Sequence, residues 1–198
     1  MDQISFFSAE ASGPQLADLA GVLCGRGQIV SFGRTAARLS VAVGEAWRAR
    51  TLATEFARRG VHADVVRTED GQPLVRTAFR ADLIRLADAW RPVEGKELPT
   101  GFRLTGGALR MWALTGGVPA ERHYLLTVDE DAPGTHAPLA EALRQLGLPA
   151  QLVGPRGGGP AIRVTGRRRL STLEELIGAP PPAAAAVWPL RPESGSAA

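Results

Sequence analysis

The chain has 198 residues, which is enough for one large domain or two small fused domains with a substantial hydrophobic core. Hydrophobic residues make up 44% of the chain and charged residues 22%, as in soluble globular proteins. The sequence contains no apolar run of about 18 residues, so no membrane span is predicted. The first residues lack the basic and apolar segments of a secretory signal peptide. Because Cys24 is the only cysteine, an intramolecular disulfide framework and a zinc cluster of cysteines are excluded. We therefore expect a cytoplasmic protein.

The charge balance is mildly basic and comes almost entirely from arginine. The net charge is +3, and every one of the 23 basic side chains except Lys96 is an arginine. An arginine-rich composition with abundant alanine, glycine and proline is also typical of GC-rich genomes. Composition therefore favours an anionic partner only weakly.

The first half of the chain predicts an αββαββα order of elements. Residues 1–13 are expected to form a short arm, and a helix is expected over 14–25 because Leu16, Leu19 and Leu23 share one helix face. Alternation, helical periodicity and hairpin punctuation predict the remaining elements. These are strands at 28–32 and 37–43, a helix at about 45–59, strands at 62–68 and 74–78, and a helix at about 80–90.

The second half predicts a similar series after a connector at 91–106. The expected elements are a helix at 109–114, a strand at 123–128, a helix around Leu139, Leu143 and Leu146, strands at 150–153 and 161–165, and a last helix. Ser171-Thr-Leu-Glu174 predicts a capping box that opens this last helix, with Arg167-Arg168-Arg169 in the loop before it. Residues 179–198 are rich in proline and alanine and are predicted to form a disordered tail.

The two halves align with each other. Residues 39–77 match 126–164 at an offset of 87, so that Arg76 faces Arg163, and the flanking helices match at an offset of 90. The repeats cover about 14–90 and 107–178. This duplication predicts one α+β domain of two pseudo-twofold-related αββαββα repeats. Each repeat contributes a four-stranded antiparallel sheet with helices on one face, and the two sheets form a saddle.

One helix of each repeat carries a family resemblance. The run Leu19-Ala20-Gly21-Val22-Leu23-Cys24-Gly25-Arg26-Gly27 resembles the motif that names the LAGLIDADG homing endonucleases, and residues 109–117 resemble a weaker second copy. The resemblance implies two motif helices packed along the pseudo-twofold axis, where small residues allow a close approach.

A closer resemblance is to the N-terminal LAGLIDADG-like region of the WhiA family of sporulation regulators, which are prominent in actinobacteria. It rests on the degenerate, glycine-ended motif helices and on the connector into Leu104-Thr105-Gly106-Gly107. It also rests on the helix ends Arg58-Arg59-Gly60-Val61 and Gln145-Leu146-Gly147-Leu148. WhiA proteins continue into a helix-turn-helix domain, which we expect this chain to lack.

The resemblance also bears on catalysis. In the endonucleases each motif ends with an acidic residue before its last glycine, and the two carboxylates bind the divalent metals for phosphodiester hydrolysis. The matching positions here are Arg26 and Gly116, neither of which supplies a carboxylate oxygen. We therefore predict an inactive scaffold with no catalytic, metal or cofactor site.

Arginines on the sheet face opposite the helices are the candidate DNA-binding residues. Strand alternation places Arg38, Arg76 and Arg163 outward, and Arg34, Arg67 and Arg156 lie at or near hairpin turns. A plainer interpretation is that these are solvated strand faces in an arginine-rich protein. We expect a DNA-associated transcriptional or developmental regulator that binds double-stranded DNA. The alternative is a protein-interaction module that binds a transcription partner without DNA contact, and an active nuclease is a third hypothesis.

Overall fold

The computed structural model describes residues 8–90 and 95–189. The first half begins with a short helix α1 (Ala9–Ser12) and a 3₁₀ turn (Leu16–Leu19) that continues into the motif helix α2 (Ala20–Cys24). The remaining elements are β1 (Gln28–Phe32), β2 (Ala36–Ala42), α3 (Ala46–Arg58), β3 (Ala63–Arg67), β4 (Pro73–Thr77), a 3₁₀ turn (Ala81–Leu83) and α4 (Ile84–Trp90).

The second half repeats this series. Its elements are the motif helix α5 (Gly106–Gly116), β5 (Gly117–Pro119), β6 (His123–Thr127), a 3₁₀ turn (Pro133–Thr135), α6 (His136–Gln145), β7 (Gln151–Val153), β8 (Ala161–Thr165) and α7 (Arg167–Ile177). Strand β5 was not predicted, because it is only three residues long and follows α5 directly. No helix within the described ranges combines the length and the apolar character needed to cross a membrane.

Each half forms a four-stranded antiparallel sheet with an equivalent strand order, β1-β2-β4-β3 and β5-β6-β8-β7. Side chains alternate along the central strands, so that Leu39 and Val41 of β2 and Tyr124 and Leu126 of β6 enter one continuous core with the helices. Within the described residues, the opposite face of each sheet holds half-buried and exposed side chains, which include the polar Ser40, Arg76 and Arg163 and the apolar Val118. The predicted α+β class with two duplicated antiparallel sheets is confirmed.

The motif helices α2 and α5 pack so closely that side chains are excluded at two points. A Cβ atom at Gly21 would overlap the backbone carbonyl of Ala108, and a Cβ at Gly107 would overlap the carboxylate of Asp18. Gly21 of the first motif copy is therefore needed for the close contact between α2 and α5, as the resemblance implies, and Gly107 leaves room for Asp18 of the 3₁₀ turn that precedes α2.

Backbone pairing supports most of the internal alignment. In the outer hairpins Asp64 pairs with Arg76 and Gln151 pairs with Arg163, which is the predicted offset of 87 on both strands. Arg76 and Arg163 therefore occupy equivalent positions in the two sheets.

The central strands depart from that alignment by two residues. The N–H of Val43 donates to the carbonyl of Pro73, and the N–H of Val128 donates to the carbonyl of Pro160. Val43 and Val128 are therefore equivalent, and β2 matches β6 at an offset of 85, where 87 was predicted. A shift of two residues leaves the inward and outward alternation of a strand unchanged, so sequence patterning alone does not detect it.

The last helix begins earlier than predicted. α7 starts at Arg167 with Gly166 as N-cap, so Arg167-Arg168-Arg169 form its first turn and the Ser171–Glu174 pattern lies inside the helix. The prediction of a capping box and of an arginine loop was wrong. Leu170 packs against the core ahead of Leu173, which extends the apolar stripe, and therefore the helix, by one turn towards the N-terminus.

The segment after α7 is also more ordered than predicted. Residues 179–189 carry a 3₁₀ turn (Pro182–Val187), and Trp188 is buried with its Nε1–H donating to the carbonyl of Gly178 at 2.8 Å. The Tyr124 hydroxyl donates to the carbonyl of Val187. The prediction of a disordered tail is wrong for this segment because the indole enters the core. The rest of the predicted tail, 190–198, and residues 1–7 of the predicted arm lie outside the described residues.

Candidate nucleic-acid interface

The outer face of the first sheet brings two of the candidate arginines onto neighbouring strands. Arg38 and Ser40 lie on β2 between buried residues, and Ser40 pairs with Arg76 of β4. Both arginines are half-buried at the level of the sheet. Their guanidinium groups therefore lie on the face that faces away from the helices, as the alternation predicts.

An aromatic pair borders these arginines. The rings of Phe32 and Phe79 lie 5.6 Å apart, and the Arg38 guanidinium stacks over Phe79 at 4.7 Å from the ring centre. Phe32 is 68% exposed and Phe79 is 42% exposed, although aromatic side chains of this size are usually buried. No sequence pattern predicts this pair, because it forms only where the β1–β2 hairpin meets the end of β4.

The other two candidates of the first half lie at opposite ends of the sheet. Arg34 is exposed in the β1–β2 turn, and Arg67 ends β3. Strands β2 and β3 run in the same direction, and the first turn precedes β2 whereas the second turn follows β3. The two turns therefore lie at opposite ends of the sheet. Arg67 donates to the carbonyl of Gly71 at 2.6 Å and so closes its own hairpin.

The second sheet carries the remaining candidates. Arg163 is half-buried on the outer face of β8, where one Nη donates to the side-chain oxygen of Gln151 at 3.2 Å. Arg156 is exposed in the 3₁₀ turn between β7 and β8. The six candidates are therefore spread over both sheets and their turns and do not form one compact cluster.

At the ends of the motif helices, the two positions that match the acidic residues of the motif are Arg26 and Gly116, and neither carries a carboxylate. Arg26 is 54% exposed and lies 3.7 Å from Glu130. At Gly116 the side chain of Thr127 occupies the space that a Cβ would need. Among the residues that the structure describes, no three His, Cys, Asp or Glu side chains are grouped so that they could hold a metal ion.

A buried lysine occupies the end of α2. Lys96 Nζ donates to the carbonyls of Gly25 and Gly27 at 2.6 and 3.0 Å and to the carboxylate of Asp129 at 2.8 Å. Asp129 also accepts from the side chain of Gln28. Burial lowers the pKa of Lys96, and the bond to Asp129 opposes this shift. Sequence reasoning missed Lys96, whose only signal was that it is the single lysine of the chain.

An arginine does the same at the end of α5. Arg48 of α3 is buried and donates to the carbonyls of Leu114 and Gly117 at 2.7 and 3.3 Å. Carbonyls at a helix C-terminus carry partial negative charge, which a nearby cation stabilises. Both motif helices therefore end on a buried protein cation that binds their C-terminal carbonyls.

Behind the motif helices lies a buried ion-pair network. Glu55 accepts from Arg58, Arg59 and Arg110, and Arg59 also donates to Asp18 at 3.0 Å. Burial alone would raise the pKa of Glu55, but hydrogen bonds from Arg110 and Arg59 outweigh it and hold the pKa at about 2. This network joins α3 of the first half to α5 of the second and is structural.

The single cysteine, Cys24, is buried, and burial raises the pKa of its thiol. A thiol that stays protonated is a poor nucleophile, so Cys24 is not suited to a reactive role.

Comparisons with known proteins identify the fold. No family model matches the chain, and no curated protein matches it in sequence. The structure is similar to that of the homing endonuclease I-WcaI bound to its DNA recognition sequence, with a TM-score of 0.59 and 13% identity over 89% of this chain and 83% of that one. The chain has the LAGLIDADG homing-endonuclease fold.

A second solved structure shares this fold. Full-length DUF199/WhiA from Thermatoga maritima matches with a TM-score of 0.57 and 14% identity over 84% of this chain. The match spans 56% of that WhiA chain. The predicted resemblance to WhiA and the homing endonucleases is therefore confirmed at the level of the LAGLIDADG fold.

Proposed function

We propose that this protein is a DNA-associated transcriptional or developmental regulator that binds double-stranded DNA on the outer faces of its two sheets without cleaving it. The observation that carries the proposal is the equivalent placement of Arg76 and Arg163 on those two faces, where both side chains are half-buried on strands whose neighbouring residues point into the core. The solved structure of I-WcaI supports it, because that enzyme binds its DNA recognition sequence with the same fold.

The absence of cleavage is inferred from the ends of the motif helices. Arg26 would repel a divalent cation, and Gly116 offers no ligand. Lys96 and Arg48 already neutralise the helix-end carbonyls. Incubation of plasmid DNA with the protein and magnesium should leave the plasmid supercoiled, whereas nicked or linear plasmid that increases with protein concentration would contradict the proposal.

Binding is tested by measuring the affinity for a short DNA duplex across a series of salt concentrations. The variant R38Q/R76Q/R163Q removes three outer-face charges and should bind at least about tenfold more weakly at low salt. Because each lost phosphate contact removes about 0.9 from the slope of log affinity against log salt, that slope should fall by about 3.

A matched control separates specific contacts from net charge. R50Q/R85Q/R144Q removes the same charge from exposed arginines on α3, α4 and α6. This variant should keep nearly the wild-type affinity and slope. Equal weakening by both triple variants, or no binding of the duplex by the wild type at low salt, would refute the proposal.

A second candidate function is a protein-interaction module that binds a transcription partner without DNA contact. The exposed Phe32 and Phe79 pair favours it, because apolar residues of this kind are enriched at protein interfaces. A protein that binds no duplex, but captures a partner that F32A/F79A fails to capture, would have this function.

A further inference from the structure

A cavity on the outer side of the second sheet is lined by two arginines and by no described carboxylate. It has a volume of about 320 Å³ and lies beside β8, β7 and the first turn of α7. The described residues that line it include no Asp or Glu; they are His123, Pro149, Ala150, Gln151, Arg163, Thr165 and Arg169.

The two arginines of this cavity are incompletely paired. Arg163 has Nε buried without a hydrogen-bond partner among the described residues, and its contact through Nη is to the neutral oxygen of Gln151. Arg169 donates to the backbone carbonyl of Thr165 at 3.4 Å, which is a long bond. Leaving the Nε–H of Arg163 unsatisfied is costly, so a small rotation of its guanidinium towards an anion in the cavity, which would supply the missing bond, is favourable.

The placement of Arg169 gives a second reason. It lies in the first turn of α7 with Arg167 and Arg168, at the helix end where positive side chains are disfavoured. An anion in the adjoining cavity would offset that repulsion.

The equivalent place in the first half provides an internal comparison. There Asp64 stands opposite Arg76, where the second half has Gln151 opposite Arg163. The first half thus places a carboxylate beside its outer-face arginine, and the second half does not. Only the second half therefore lacks a carboxylate opposite its outer-face arginine, as an anion site requires.

We propose that this cavity binds a phosphate group, held by Arg163 and Arg169 with Gln151, His123 and Thr165 as further hydrogen-bonding partners. Guanidinium groups match phosphate oxygens in geometry and charge. The source is either a backbone phosphate of bound DNA or a free phosphate compound. The first case rests on the proposed function, since the cavity lies on the same outer face; the second does not.

The experiment uses the ¹⁵N-labelled full chain and follows the Nε–Hε signals of arginine side chains by NMR. R163K and R169K, which lack the Nε–Hε group, assign the two signals by difference. Inorganic phosphate is titrated against sodium chloride at matched ionic strength. The Arg163 and Arg169 signals should shift saturably with phosphate and not with chloride. R169Q should weaken phosphate binding by about tenfold, and R50Q, which removes an exposed arginine of α3 far from the cavity lining, should leave it unchanged.

The outcomes separate this proposal from the proposed function. A DNA duplex that shifts both signals, with reversal by added phosphate, supports both. Phosphate binding without any duplex binding supports the cavity with a free phosphate compound and refutes the DNA function. If the duplex binds but shifts neither arginine signal, the cavity proposal is refuted and the proposed DNA function still stands. No phosphate response, or equal weakening by R50Q and R169Q, overturns the cavity proposal.

Discussion

At the scale of single residues, the features that decide this protein's chemistry lie in contacts between distant segments of the chain. The arginines of the outer faces follow from strand alternation, and their placement was predicted from sequence. Lys96 was not, because its environment is made by Gly25, Gly27 and Asp129, which come from both halves of the molecule. A lone lysine in a connector has no local pattern that indicates burial.

The Lys96 pair gives a prediction on stability. K96A leaves the buried Asp129 carboxylate without its cation and should lower the free energy of unfolding by about 3–5 kcal/mol in urea denaturation. R26A removes an exposed ion pair and should change it by less than about 1 kcal/mol. If K96A behaves like R26A, Lys96 does not stabilise the end of α2.

The Glu55 network gives a prediction on pH. The pKa of Glu55 is lowered in the folded protein from 4.5 to about 2, so its contribution is present above about pH 4.5 and is lost as the pH falls towards 2. The free energy of unfolding should therefore fall between pH 5 and pH 2, in part through this group. E55Q should flatten that portion of the profile. E69Q, an exposed change in the β3–β4 turn, should leave it as in the wild type, and identical profiles for all three proteins would contradict the assignment.

At the scale of elements, tertiary packing decided where local signals conflicted. The Ser171–Glu174 pattern predicts a helix start, but the buried stripe through Leu170 and Leu173 begins α7 one turn earlier. In the same way Trp188 converts a portion of a proline- and alanine-rich segment into ordered structure, because a buried indole outweighs the local preference for disorder. Neither of these long-range contacts can be predicted from composition.

The contact between the motif helices is testable at this scale. G21A places a methyl group against the Ala108 carbonyl, where only movement of the backbone could make room, and should cost at least about 2 kcal/mol of stability. G134A adds a methyl group in open space and should change stability by less than about 0.5 kcal/mol, as surface substitutions do. Thermal or urea unfolding measures both, and equal stabilities would show that α2 and α5 do not require a glycine at this point.

At the scale of the whole molecule, the duplication was the most informative feature of the sequence. It predicted two equivalent sheets and the equivalence of Arg76 and Arg163, and the pairing of the outer hairpins agrees. It did not predict how the halves differ. The halves differ in Gln151, which stands in place of Asp64, in the aromatic pair near Arg38, and in the cation at each helix end. The consequence of each difference depends on neighbours in space.

The central claim is that DNA lies across the outer faces of both sheets. Modification of arginines by phenylglyoxal, read by mass spectrometry with and without a DNA duplex, tests it within one sample. Duplex DNA should protect Arg38, Arg76 and Arg163 and leave Arg50 and Arg144, exposed on the helices, as reactive as in the free protein. Protection confined to Arg50 and Arg144, or unchanged reactivity at all five arginines with a duplex that is bound, would contradict the account.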